Sequence, residues 1–329
     1  MAKLMTVTAN TAIDLLLEVE SFALGETLSA SRSAEFACGK GINVAKAIES
    51  QGSEVLCLGF AGARSVDAFH ALQTERLTTD LTVVSGKTRT NITLHDSASG
   101  RETHIRTAGF SVTEDDCRRL CETVESHAEP GAIVIISGSL PPGAPNDFYR
   151  SLIKVCRERG VTTFLDASGS GLSLGIEAKP DAIKPNQQEL EALLGKSLPD
   201  ERSIAEAAKE LVGQGIQRVY VSRGEHGCIA VGENMAVSAY LNTAPERIVS
   251  RVGCGDALVA GLAVAAEQGL DAEAALKLGV ACGTSNLFAP EPGRFESARL
   301  NSIASRVVVE DILTLNSVFS PLKSRNIPN

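Results

Sequence analysis

Short apolar runs recur along the chain, separated by stretches with helical spacing. Leu4–Thr8 reads as a buried strand, and further strands are expected at 54–60, 132–137, 161–166, 181–183 and 217–222. The spacing predicts helices over 40–48 (closed by Gly52), 65–77, 113–127, 146–159, 187–195 and 203–214. A hairpin through 228–231 leads to helices over 255–268 and 271–288. Buried strands alternating with amphipathic helices predict class α/β, a mostly parallel sheet with helices on both faces. Two stretches depart from this order. Residues 15–37 mix apolar and polar side chains without helical period, and 81–107 alternate with period two and turn at Ser99-Gly100. Together they predict a small, half-exposed sheet projecting from the main body as a lid. The expectation is one domain over 1–319 with these two lid segments inserted, and a flexible tail at 320–329.

In a parallel sheet the strands end at one edge, which is where ligands meet folds of this class. That edge would collect Asn10 to Asp14, Ser137-Gly138-Ser139, Asp166-Ala167-Ser168-Gly169, Lys184-Pro185-Asn186-Gln187-Gln188-Glu189 and Ser222-Arg223-Gly224-Glu225-His226-Gly227. Two glycine-to-helix junctions join them, Gly39-Lys40-Gly41-Ile42-Asn43 and Val252-Gly253-Cys254-Gly255-Asp256. A helix start carries unpaired N–H groups and partial positive charge, so each junction suits an anion. Asp256 is placed either to accept a proton from a hydroxyl attacking a phosphate or simply to cap its helix. Lys40 offers a point charge for phosphate and Asn43 a fork for hydroxyls, or Lys40 is a solvated loop residue. Asp14 suits a sugar hydroxyl or a turn. Arg89 and Arg106, on the lid, suit a phosphate clamp or an ordinary surface.

Composition narrows the function. The 329 residues are 43% hydrophobic, enough for a full core, and 31 basic against 40 acidic side chains leave a net charge of −9. That balance argues against nucleic acid or an anionic membrane as partner, so an anionic substrate needs local basic residues. The 8 cysteines contain no C-x-x-C pair and the histidines lack ligand spacing. Free thiols in a cytoplasmic protein are expected, with no zinc, export signal or membrane span. Gly86-Lys87-Thr88 is not a phosphate loop, because Leu81 stands where the required glycine would be.

The strand-end sequences, in this order, resemble the ribokinase-like sugar kinases of the PfkB family from Asn10 to about Arg294. Gly39-Lys40-Gly41-Ile42-Asn43-Val44-Ala45 and Val252-Gly253-Cys254-Gly255-Asp256-Ala257 look like that family's two signatures, and Asn186-Gln187-Gln188-Glu189 looks like its Asn-x-x-Glu motif. Lys40 to Ala45, Ser137 to Pro141 and Thr90-Asn91 are most similar to the subgroup acting on phosphorylated ketohexoses. That subgroup contains 1-phosphofructokinase, tagatose-6-phosphate kinase and the minor 6-phosphofructokinase.

The resemblance implies a three-layer α/β/α fold and transfer of the ATP γ-phosphate to a sugar hydroxyl. Asp256 would be the base and Gly253, Cys254 and Gly255 the anion hole. Asp14, Gly39 and Asn43 would hold the sugar, and Lys40, Arg89 and Ser139 the phosphate it already carries. Lys184, Asn186, Ser222, Gly224 and Gly227 would surround the nucleotide, with Gly283 and Asn286 bordering adenine. Glu189 would meet Mg2+ through water, K+ is a further candidate, and the lid would pair two subunits into a homodimer. Fructose 1-phosphate is the first-choice acceptor, then tagatose 6-phosphate or fructose 6-phosphate. The alternatives are a same-fold kinase for an unphosphorylated sugar or nucleoside, or a sugar-phosphate-binding regulator without catalysis. Cys254, Cys38, Arg223 and Leu28 depart from the residues usual in the family.

Overall fold

The computed structural model describes residues 3–242 and 248–312. Strand β1 (Leu4–Thr8) leads into β2 (Ala12–Val19) and β3 (Arg32–Cys38), and Gly39 then opens helix α1 (Lys40–Ser50). Next come β4 (Val55–Gly62), a short α2 (Val66–His70), β5 (Leu77–Val84) and the hairpin β6 (Arg89–Asp96) with β7 (Arg101–Arg106). The regular alternation follows as α3 (Glu114–His127), β8 (Ile133–Ser137), α4 (Phe148–Glu158), β9 (Thr162–Asp166), α5 (Ser170–Gly175) and β10 (Ala182–Ile183). Helices α6 (Gln187–Leu194) and α7 (Glu201–Gly213) precede β11 (Arg218–Ser222) and the hairpin β12 (Cys228–Gly232) with β13 (Met235–Leu241). The described chain closes with α8 (Cys254–Glu267), α9 (Ala272–Asn286), α10 (Ser297–Ala304) and β14 (Val307–Asp311).

Ten strands form one sheet in the order β14-β13-β12-β11-β10-β9-β8-β1-β4-β5, parallel from β11 to β5 and antiparallel at the other end. Its middle strands are apolar on both faces because both are covered: β1 and β8 are buried at every position. Helices α3, α4 and α7 bury Leu120, Leu152 and Leu211 on one face, while α1, α8 and α9 bury Ile42, Val259 and Leu276 on the other. Sheet and helices thus make the three-layer α/β/α arrangement expected. Helix α8 is apolar all round, with Asp256 to Ala265 buried, as a helix sandwiched between sheet and outer helix must be. A separate four-stranded sheet, β3-β2-β6-β7, stands beside the large one.

Two expected boundaries move. The helix predicted over 65–77 ends at His70, because Thr74 Oγ1 accepts the backbone N–H groups of Arg76 and Leu77 and turns the chain into β5. Strand β5 pairs with β4 in the large sheet, so the stretch 81–107 enters the smaller sheet only from Arg89. An edge strand covered on one face alternates just as a free hairpin does, with burial along β5 running buried, exposed, intermediate. The sequence pattern also gave no sign of α5, α10 or β14. The expected tail at 320–329 lies outside the described residues.

Where β1 and β4 approach the functional edge, Gly59 has φ 143°, and a Cβ there would lie 2.2 Å from the Thr8 carbonyl oxygen. Gly59→Ala is therefore expected to cost about 2–3 kcal/mol. Urea unfolding measures it, and an unchanged midpoint would contradict this packing.

Candidate active site

The first turn of α8 begins at Gly253, whose φ of 83° places it in the left-handed region that a glycine adopts without strain. Gly253, Cys254 and Gly255 are partly exposed, so the unpaired amides of the helix start open outward, while Asp256 behind them is buried. Helix α1 points its own N-terminus at the same place. Gly39 opens it at φ 131°, with so little room that a Cβ would stand 2.8 Å from Thr8 Cγ2. Asn43, one turn into α1, donates from Nδ2 to Asp256 Oδ2 at 2.9 Å, which joins the two helix starts.

Between them, at the end of β9, lies Asp166, 1% exposed. Its Oδ1 is 3.1 Å from Lys184 Nζ and 3.4 Å from Lys40 Nζ. One carboxylate therefore holds two ammonium groups that arrive from different motifs. The Lys184 ammonium also lies over the α8 start, 3.9 Å from where a Gly255 Cβ would be.

The two carboxylates are driven apart. Burial pushes Asp256 up to about 6, a rise that Asp166 adds to and that Lys40, the Asn43 hydrogen bond and Lys184 only partly oppose. Asp166 is also buried, yet the adjacent Lys184 and Lys40 overcome that cost and hold it below the ordinary carboxylate range. For Lys40, burial disfavours the charge, but Asp166, Asp256 and Glu189 outweigh it and raise the ammonium above its usual value. The cluster thus combines fixed positive charge with one carboxylate that protonates near neutral pH, a pairing typical of sites that move protons.

On the side of the smaller sheet, Asp14 accepts from Asn91 Nδ2 at 2.7 Å across the β2–β6 pairing. Arg89 donates to the backbone oxygens of Asn10 and Thr11 at 3.1 and 3.3 Å. Its pKa is lowered, first by burial and then by Arg106 nearby, against the pull of Asp14. Neither arginine forms an ion pair with a described residue, so the two leave positive charge facing this side. Ser139 is exposed beside them and accepts from Asn10 Nδ2 at 3.2 Å.

On the opposite side, Ser222, Gly224, Gly227, Cys254, Gly255 and Gly283 line a cleft of about 540 Å³ with a partly apolar wall at Leu258 and Leu287. Asn186 and Glu189 make a capping box at the start of α6, each side chain accepting from the other's backbone N–H at 2.8 Å. Asn286 does not line the cleft. It is fully buried, and its amide bonds Val252 O and Gly293 N, each at 2.7 Å, so it shapes the Gly253 turn instead of bordering the cleft.

Asp166 has no predicted role among the strand ends, yet the cluster is built on it. Its signal was an acidic residue closing an apolar strand at the same edge as Lys40 and Lys184. Of the four departures, Cys254 turns its sulfur to Asn286 Nδ2 at 3.5 Å, and Arg223 binds Glu201 and the His226 carbonyl. Cys38 is buried, and Leu28 is exposed.

The profile of the pfkB family carbohydrate kinases matches residues 1–294. The chain belongs to the PfkB family of carbohydrate kinases. PfkB kinases are phosphotransferases with an alcohol group as acceptor and use ATP with a metal. The 1-phosphofructokinase of Xanthomonas campestris is 34% identical, the match covering 93% of this chain and 97% of that protein. The 1-phosphofructokinase of Bacillus subtilis is 32% identical over 88% of this chain and 94% of its own length. Among solved structures, phosphofructokinase-2 of Escherichia coli in complex with potassium superposes with a TM-score of 0.86 at 28% identity, covering 93% of this chain and 99% of that one.

Because burial is what raises Asp256, its carboxyl carbon should titrate in NMR near pH 6. Asn43→Ala removes a bond to the charged form and should move that midpoint further up. A wild-type midpoint at the ordinary carboxylate value would contradict the placement of Asp256.

Proposed function

We propose that the chain transfers the γ-phosphate of ATP to a hydroxyl of a phosphorylated ketohexose, with fructose 1-phosphate as first choice and tagatose 6-phosphate or fructose 6-phosphate after it. The observation that carries the proposal is Asp256. It is a buried carboxylate with its pKa pushed up to about 6, set one residue beyond the open amides of α8 and flanked by Lys40 and Lys184. In this proposal the sugar lies between Asp14, Gly39 and Asn43. Its phosphate is drawn by Lys40, Arg89, Arg106 and Ser139, and the nucleotide occupies the cleft lined by Ser222, Gly224, Gly227 and Gly283.

The acceptor oxygen forms its bond to the γ-phosphorus in line with the leaving ADP oxygen, and its proton passes to Asp256. Charge spreading over the transferred group meets the Gly253 to Asp256 amides and the Lys184 ammonium. Glu189, ordered at the start of α6 by its capping box, would hold Mg2+ through water, and the ion would supply neutralisation of phosphate charge. The relatives named 1-phosphofructokinase support fructose 1-phosphate as the first choice. The positive charge at Lys40, Arg89 and Arg106 favours a phosphorylated acceptor over ribose or a nucleoside.

ADP release with ATP and Mg2+ should be fastest on one of the three ketohexose phosphates when these are compared with ribose and adenosine. Turnover confined to the uncharged acceptors would overturn the proposal. Asp256→Asn is expected to lower kcat by about two or more orders of magnitude with little change in KM. In the wild type kcat/KM should fall as pH drops through about 6, because Asp256 must be unprotonated to accept the proton. A variant turning over at the wild-type rate would remove Asp256 from the chemistry.

A further inference from the structure

Lys46 is fully buried, 0% exposed, and lies three residues beyond Asn43 on α1. Nothing in the proposed chemistry uses it. A buried ammonium is costly unless closely paired, and this one has two partners. Lys46 Nζ donates to the Ala37 carbonyl at the end of β3 at 2.7 Å, and it is 2.7 Å from Glu291 Oε1. Glu291 stands between Pro290 and Pro292 in the segment that follows α9. That segment is pressed against the α8 start. A Cβ on Gly253 would lie 2.8 Å from Pro292 Cβ, and one on Gly293 would lie 2.3 Å from the Asn43 carbonyl and 2.9 Å from Lys46 Cβ.

The same segment is tied to its surroundings by hydrogen bonds. Gly293 N donates to Asn286 Oδ1 at 2.7 Å, and Asn286 Nδ2 donates to Val252 O at 2.7 Å, one residue before the Gly253 turn. Ser50 Oγ, at the end of α1, donates to Gly293 O at 3.1 Å. The start of α8 is thus fixed to α1 directly, by the Asn43–Asp256 bond, and indirectly through the segment 289–294, which α1 holds by Lys46–Glu291 in its buried middle and by Ser50–Gly293 and the Arg294–Glu49 ion pair at its end.

We propose that the Lys46–Glu291 ion pair is a positioning device that holds the segment 289–294 against the Gly253 turn and thereby sets the amides of the first turn of α8 for phosphoryl transfer. This rests on the kinase proposal above. Lys46 and Glu291 touch no reacting atom in it. They act through Pro292, Gly293 and Asn286. A pair serving stability alone would lower the unfolding midpoint when broken and leave the turn of folded molecules as it was.

Glu291→Gln tests this with least disturbance, because Glu291 is part exposed, with 26% of its side chain accessible, and the amide keeps the shape while removing the charge. Hydrogen exchange at the amides of Ala257 and Gly293, which are bonded to the Gly253 carbonyl and to Asn286 Oδ1, should speed up about tenfold, with exchange in β8 unchanged, since one local opening is eased while the global one is not. On the acceptor found active, kcat should fall about tenfold while KM for sugar phosphate and ATP stays within about threefold, the pattern for a group acting only in the transition state. Lys46→Met paired with Glu291→Met should cost less in kcat than the product of the two single losses, because the partners act as one unit.

Exchange at Ala257 and Gly293 unchanged in Glu291→Gln, or kcat retained in it, would overturn the positioning role. The exchange measurement needs no turnover, so it separates this inference from the kinase proposal. A wild-type enzyme inactive on every acceptor with exchange accelerated in the variant would sink the substrate assignment and leave the pin standing.

Discussion

One buried carboxylate sets the terms for this molecule. Asp166, at the end of a central strand, is held by Lys184 at 3.1 Å and Lys40 at 3.4 Å, and these ammonium groups outweigh the cost of burying its charge. Removing Asp166 would leave two ammonium groups side by side without their counter-ion, the situation in which a broken buried pair becomes strongly destabilising. The constraint also has a constructive side. It fixes the α1 start, which carries Lys40, against the β10 end, which leads into Lys184, and the α8 start is then drawn in by Asn43 and Asp256. A parallel sheet brings strand ends to one edge, but this ionic arrangement gives that edge its charge.

Asp166 and Asp256 show how one small volume supports opposite protonation behaviour. Both are buried, and both feel the same two lysines. Asp166 is in direct contact with the ammonium groups and stays ionised. Asp256 meets an uncharged amide instead, so burial dominates and its pKa is pushed up to about 6. The distinction arises from partner chemistry, charge in one case and a dipole in the other. It leaves the site with a permanent counter-ion for its lysines and a separate group free to take up a proton.

Much of the fold was legible because the strands are buried on both faces and so appear as plain apolar runs. β1 matches its expected limits, and α3 begins within a residue of its expected start. The misplaced element was β5, whose one-sided burial mimics the alternation of the smaller sheet. The stretch 65–77 failed for a local reason, a threonine turn at Thr74 that competes with helix. At the site, glycine-to-helix junctions announce themselves because few other residues allow the backbone angles, and Gly39, Gly253, Lys40, Asn43 and Asp256 came together as expected. Asp166, Asn286 and Lys46 were harder to see. Their roles depend on partners 126, 34 and 245 positions away, and no local pattern encodes such pairings. The family resemblance implies Asn286 at the border of adenine, but its amide turns inward to the Gly253 turn.

A crystal structure with the active sugar phosphate, ADP, Mg2+ and a planar phosphoryl mimic tests the role of Asp256 most directly. The acceptor hydroxyl should lie within about 3 Å of the Asp256 carboxylate, the usual reach of a general base. The mimic should rest against the amides of Gly253 to Asp256, with the sugar's own phosphate toward Lys40 and Arg89. An acceptor hydroxyl directed away from Asp256, or a mimic bound away from the start of α8, would contradict it.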